Sequence, residues 1–494
     1  MINLKKIIFV IENITLKVGR TTSWLILFMT LIAFSVALLR YFFNIGFVWM
    51  QESYIWMHGL VFLFGSAYTL LEDKHVRVDI FYRNFNEKYK AFVNIFFSIF
   101  FIFPFIFIIS KYSIPYILKS WASLEKSREA GGLQFLYLYK TSIILFCFFL
   151  FIQSIALILR CVLVICKKEV KIFSKFLKKK MTAQILSICM FATTFIFLLF
   201  GFQVAFTLAG TAILFALTAS FFDFLSLDFL ALIPSRIFGT MTNELLVAVP
   251  LFIFMGLILE KSKIAEELLE TIANLFGKFK GGLGFTVIIV GALLSASTGI
   301  VGATVVTMGL LTLPTMLKWG YDKKLASGLI CASGTLGQII PPSIVLILLS
   351  DALQGAYSQS QLLQGKIPSN PISTIDLFAG AILPGILLVI FYCLWQLIMI
   401  YLKPQSSPAL INRGKKYSIK KTLSIIFLPI ILIILVLGSI LMGVATPTEA
   451  ASFGAVGAIV LSFIKKSFSS KVLSESILDT TKISSMIFFN TYRS

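Results

Sequence analysis

Charge is scarce in this sequence of 494 residues: Asp, Glu, Lys and Arg together make 13% of it, against 58% apolar residues and a mean hydropathy of +0.94. Soluble domains are about one quarter charged, so a water-soluble enzyme with a large core is excluded. Histidine is scarcer still, with His58 and His75 the whole supply, too few for a histidine metal centre. The six cysteines, Cys147, Cys161, Cys166, Cys189, Cys331 and Cys393, lie in or beside apolar runs without CxxC or metal spacing. They read as small buried hydrophobes. Missing too is any GxxxxGK followed by Ser or Thr: LFGKFKGG at 275–282 lacks both the earlier glycine and the hydroxyl, so the chain has no P-loop of its own. No cleavable signal is evident either. The first long apolar span, 22–43, follows Lys5, Lys6, Lys17 and Arg20 without a small-residue cleavage site, and is expected to stay as an anchor.

What is abundant is phenylalanine, 50 residues of it, set in apolar runs that are long enough to cross a hydrocarbon core as helices. Unbroken runs are unlike the short alternating strands of a membrane barrel, so the expected fold is all-α and polytopic. The formal charge of +21 has a topological explanation, because most of the 43 Lys and Arg fall in short links between apolar runs: 1–21, 72–90, 166–183, 260–283, 403–422 and 465–482. Positive-inside topology accounts for them better than nucleic-acid binding, and lipid is the expected surrounding partner.

Residues 1–165 hold spans at 22–43, 54–71, 91–109 and 142–165, nearly uniform in Phe, Ile and Leu, with both ends inside. The basic stretch 166–182, containing CKKEVKIFSKFLKKK, is too polar to span and suggests an amphipathic surface helix and a domain boundary. Residues 183–494 differ in carrying Gly, Ser, Thr and Pro inside their spans. Plain spans are expected at 183–200, 204–222, 244–259, 376–402, 423–443 and 450–464, a charged amphipathic piece at 264–279, and interrupted spans at 283–317 and 325–349.

The interrupted spans carry the chemistry. GALLSASTGIVGATVVTMGLLTLPTML, 291–317, is broken by Ser295, Ser297, Thr298, Gly299, Gly302 and Thr304; LASGLICASGTLGQIIPPSIVLILL, 325–349, by Ser333, Gly334, Thr335, Gly337, Pro341, Pro342 and Ser343. Unwound backbone inside a bilayer is tolerated only where it is buried in protein or lines a watery cavity. In transporters such breaks expose carbonyls and hydroxyls to a cation and half-helix N-termini to an anion. Close helix packing explains one Gly pair, but not two neighbouring breaks with consecutive prolines. Neither broken span contains Asp, Glu or His, so neutral oxygens favour sodium over protons as the coupling ion, with no other cofactor.

SASTGIVGATVVTMGLLTLPTMLKWGYDKKLASGLICASGTLGQIIPPSIVL from Ser295, with GVATPTEAASFGAVGA from Gly443, closely resembles the large permease (DctM type) of the tripartite ATP-independent periplasmic (TRAP) transporters. The first 165 residues resemble the small permease (DctQ type) through LRYFFNIGFVWMQE at 39–52 and HVRVDIFY at 75–82. The resemblance implies a bacterial inner-membrane elevator, in which sodium drives uptake of an organic acid, such as a C4-dicarboxylate or 2-oxo acid, delivered by a periplasmic binding protein. It places a hairpin tip at 295–304 and a broken helix at 333–343 as half of the sodium and substrate sites. The small permease would brace the scaffold. Arg40 and Glu52, flanking Trp49, are expected to form a structural pair or to snorkel; Glu449 sits where a helix begins, either as a dipole-favoured carboxylate or with a functional role. Glu72, Asp73, His75, Arg77 and Asp79 form a mixed-charge loop expected to be a solvated turn.

Large permeases of this family continue into a second, inverted hairpin and broken helix. Here the chain ends at NTYRS, so the expectation is a truncated permease that does not transport. Counting spans from the basic loops starts the second domain outside although the first ends inside, and 166–182 cannot supply the missing crossing. A passive channel is the rival function; a membrane-embedded enzyme lacks a convergent set of ionisable groups.

Overall fold

The computed structural model describes residues 2–77, 82–165, 183–221, 227–276, 279–299, 301–365, 372–409 and 419–491. The surface helix expected within 166–182, together with Cys166 and Asp79, lies outside these residues. Among the described residues the chain is helical without strands, apart from one antiparallel bridge between Arg77 and Gln203. The helices are α1 (Ile2–Ser23), α2 (Leu25–Phe43), α3 (Val48–Leu71), α4 (Glu87–Phe97), α5 (Phe103–Ala122), α6 (Leu136–Ile165), α7 (Ala183–Leu199), α8 (Val204–Phe221), α9 (Ile233–Met241), α10 (Glu244–Lys261), α11 (Ile264–Phe276), α12 (Gly282–Thr298), α13 (Val301–Lys318), α14 (Lys323–Thr335), α15 (Ile344–Leu363), α16 (Thr374–Leu402), α17 (Ile419–Leu441), α18 (Pro447–Ile464) and α19 (Ser470–Thr491). Among the described residues seven helical stretches are long and apolar enough to cross a membrane: Leu4–Phe43, Val48–Leu71, Glu87–Ala122, Leu136–Ile165, Val204–Phe221, Thr374–Leu402 and Pro447–Ile464. The protein is therefore an all-α, multi-pass membrane protein.

Local chemistry sets many of the helix starts. Asn86 caps α4 by accepting from Tyr89 N, and Asp322 caps α14 by accepting from Lys324 N and Leu325 N. Ser373 with Asp376 and Thr446 with Glu449 form reciprocal capping boxes on α16 and α18, each satisfying main-chain donors that lipid cannot. The apolar residues 483–489 lie within α19.

The helices gather into two compact units that interleave along the chain, one of residues 1–26, 47–243 and 481–494, the other of 27–46 and 244–480. In the first unit, Phe97, Phe101, Phe197, Phe202 and Phe206 pack ring against ring, with centroids such as Phe101–Phe197 at 5.0 Å. Tyr139 stacks on Trp56 at 4.7 Å and donates its hydroxyl to Met241 O at 3.0 Å. The loop after α5 is held by two carboxylates: Glu52 accepts from Ser127 Oγ and Leu133 N, and Glu125 accepts from Lys140 Nζ and Ser120 Oγ. Burial works against ionisation of Glu125, but the hydrogen bonds from Lys140 and Ser120 outweigh it and hold its carboxyl below the ordinary value. The loop after α3 is solvated at Asp73 and Lys74 but not throughout. His75 is buried, and the Arg77 side chain is buried against Asp73 and the Tyr82 ring. Burial pushes the His75 imidazole down to about 4, so it is neutral at pH 7.

In the second unit α10 is buried along nearly its whole length and packs on the small-residue face of α18, where a β-carbon on Gly454 would lie 2.5 Å from Met255 Sδ. Of the cysteines, Cys147 and Cys161 are buried as expected, whereas Cys331 on α14 is exposed.

Candidate functional site: a helical hairpin facing a broken helix

The first interrupted span folds as α12 and α13, which meet at Gly299. Its φ of +60° is the left-handed conformation that favours glycine. Ser295, Ser297 and Thr298 remain within α12 rather than in the break; their side chains lie outside what is described. The second span breaks after α14 into a 3-10 turn, Leu336–Gln338, and restarts at Ile344. Ser343 shapes that restart, donating its hydroxyl to Gln338 O at 2.7 Å and accepting from Leu346 N at 3.4 Å.

The two breaks meet in space. A β-carbon on Gly299 would lie 3.3 Å from Pro342 O and 3.4 Å from Ile344 Cγ1, and Gln338 Nε2 donates to Gly299 O at 3.4 Å. Glycines bring the arms close: a β-carbon on Gly291 would stand 2.6 Å from Ser333 Cβ, and one on Gly334 would stand 2.4 Å from Val305 Cγ2. Ser333 is fully buried and donates to Ile330 O, Thr304 is buried, and Gly337, Pro341 and Pro342 are buried beside them. Gly302 and Thr335 are exposed; Thr335 bonds back to Ala332 O at 2.8 Å, and nothing lies within 4 Å of a β-carbon built on Gly302.

Two features escaped the sequence. Gln338 is the one side-chain amide among the hydroxyls, glycines and prolines of its segment. Glu260, at the end of α10, accepts from Thr307 Oγ1 on α13 and so brings a carboxylate to the hairpin from a different helix. At the base of the hairpin, the turn after α16 holds both roots: Ser407 O accepts from Gly281 N at 2.9 Å, and Ser406 O from Asp322 N at 3.0 Å. Gln396 of α16 is fully buried against Gly281 and Gly284, donating to Gly281 O.

Glu449 is 4% exposed and, besides capping α18, accepts from Arg40 Nη1 at 3.2 Å and Tyr41 OH at 2.7 Å. This corrects the expected Arg40–Glu52 pairing: Arg40 turns to Glu449, and Glu52 holds the loop after α5. Trp49 is half exposed beside Phe47.

A hairpin meeting a broken helix among membrane-spanning helices defines a solute permease of the secondary-transporter class. Residues 191–491 match the tripartite ATP-independent periplasmic transporter DctM component and residues 29–164 the DctQ component. The chain belongs to the TRAP transporter family, with both permease components in one polypeptide, and is a transport component rather than an enzyme. It is 29% identical over 301 residues to the C4-dicarboxylate TRAP transporter large permease protein DctM of Rhodobacter capsulatus, covering 59% of this chain and 66% of that one. The ectoine TRAP transporter large permease protein TeaC of Halomonas elongata is 26% identical over 56% of this chain and 59% of its own length. The isethionate TRAP transporter permease protein DctMQ of Oleidesulfovibrio alaskensis is 27% identical over 59% of this chain and 42% of its own. The chain thus spans less than two thirds of the length of each.

Proposed function

We infer that the chain is the permease of a sodium-coupled symporter in the bacterial inner membrane, importing an organic acid handed over by a periplasmic binding protein. The observation that carries this reading is the meeting of Gly299 with Gln338 and Pro342, which gathers neutral oxygens where two helices are interrupted. Neither interrupted span contributes Asp, Glu or His, so a hard cation held by carbonyls and hydroxyls fits better than a proton. The substrate class is a small organic acid. Among the names of the relatives, C4-dicarboxylate and isethionate denote anions and ectoine a zwitterion, and a C4-dicarboxylate or 2-oxo acid is our choice. The hairpin, α14 and α16, joined at the hairpin base, are assigned to the part that moves in an elevator step, and the Phe-rich helices to its support.

Proteoliposomes holding a full-length homologous permease and its cognate binding protein are expected to accumulate labelled C4-dicarboxylate or 2-oxo acid under an inward sodium gradient alone. Uptake that persists with potassium on both sides and follows a pH gradient contradicts sodium coupling.

A further inference from the structure

Gln338 ends the 3-10 turn that follows α14, where the broken helix meets the hairpin tip. Its Nε2 donates to Gly299 O, while its Oε1 is buried without a hydrogen-bond donor. Such an oxygen is costly to leave unmade, and native proteins keep few without a reason. The surroundings are rich in acceptors. Gly299 O receives the amide of Gln338, Gln338 O receives the Ser343 hydroxyl, and Pro342 O faces Gly299 at the distance given above. A carboxylate placed here would meet oxygens, whereas a desolvated hard cation would meet the ligands it prefers.

We propose that Gln338 is a cation-binding residue of the coupling site: Oε1 supplies a neutral oxygen to sodium while Nε2 holds the hairpin tip, so that the bound ion ties the two interrupted segments together. The assignment rests on the sodium reading above and adds a residue to it. Gly299 is what permits the arrangement, since a side chain there would push against Pro342 O and Ile344.

The test is thermal stabilisation of the purified 494-residue chain by sodium chloride, with choline replacing sodium at constant ionic strength. Sodium is expected to raise Tm with a saturable midpoint, and choline is not. Gln338→Leu, similar in size and without polar atoms, is expected to raise that midpoint about tenfold or more, the loss expected of a missing ligand. Gln338→Glu, which keeps the oxygen and adds charge, is expected to lower it and to make it depend on pH between about 5 and 8. An unchanged midpoint in both variants overturns the role of Gln338 while leaving sodium binding standing. Absence of any sodium effect on the unmutated chain overturns the sodium reading and this assignment with it. Should Gln338→Leu fail to fold, Gln338→Glu decides alone: a lowered, pH-dependent midpoint supports the assignment and an unchanged one overturns it.

Discussion

Glu449 receives three donors, Thr446 N, Arg40 Nη1 and Tyr41 OH, in a setting almost closed to solvent. The partners differ in how much they lose when the contact is broken. Arg40 is 59% exposed at its side chain whereas Glu449 is buried, so Arg40→Ala leaves a buried carboxylate with its two remaining donors and is expected to cost about 1–3 kcal/mol. Glu449→Ala frees Arg40 and Tyr41, both exposed, and removes one half of the capping box while the Thr446 hydroxyl still caps α18, and about 0.5–2 kcal/mol is expected. Thermal unfolding in detergent measures both, and no loss in Arg40→Ala would mean that Thr446 N and Tyr41 OH suffice for the buried carboxylate. The cap could be expected from Thr-Pro-Thr-Glu, because the carboxylate lies three residues after a hydroxyl. Its arginine could not, because Arg40 and Glu449 are separated by nearly the whole chain and the nearer acid, Glu52, offered a shorter pairing.

At the scale of helices, the glycines of the interrupted spans divide by what surrounds them. Gly334→Ala puts a methyl group into Val305 and is expected to destabilise by about 1–3 kcal/mol. Gly302→Ala opens onto free space and is expected to change stability by less than about 0.5 kcal/mol. The same unfolding measurement checks both, and a large loss at Gly302 would show that the residue is needed for backbone conformation rather than packing. The contrast explains what could be seen in the sequence. The spans followed from apolar length, and the breaks from Gly and Pro, because lipid forbids unpaired backbone except where those residues are sheltered. The breaks are narrower than the run of hydroxyls suggests. Ser333 and Thr335 bond back to carbonyls of their own helix, which lets polar residues sit within a continuous helix. Gln338 is silent in the sequence for the converse reason: an amide in an apolar segment gives no periodic signal, and its meaning comes from Gly299, 39 positions away.

For the whole molecule, the compact units cut across the two family matches. α2, from the small-permease part, lies with α18 through Arg40, Tyr41 and a Phe34–Phe453 ring contact at 4.9 Å. α8 and α9, from the large-permease part, lie with the first helices through Val204 N to Val76 O and Tyr139 OH to Met241 O. Expressed as separate polypeptides, 1–165 and 183–494 are therefore expected to co-purify through detergent and gel filtration, and independent migration would contradict this division. The turn after α16 fixes how the hairpin carries force. With Gly281 and Asp322 both bound to consecutive carbonyls of that turn and Gly299 O bonded to Gln338, the hairpin is a beam held at both ends. Its arms cannot slide past each other without breaking a main-chain bond. A displacement of the broken helix at the tip is therefore carried to the end of α16, over about 25 Å for the 17 residues of α12.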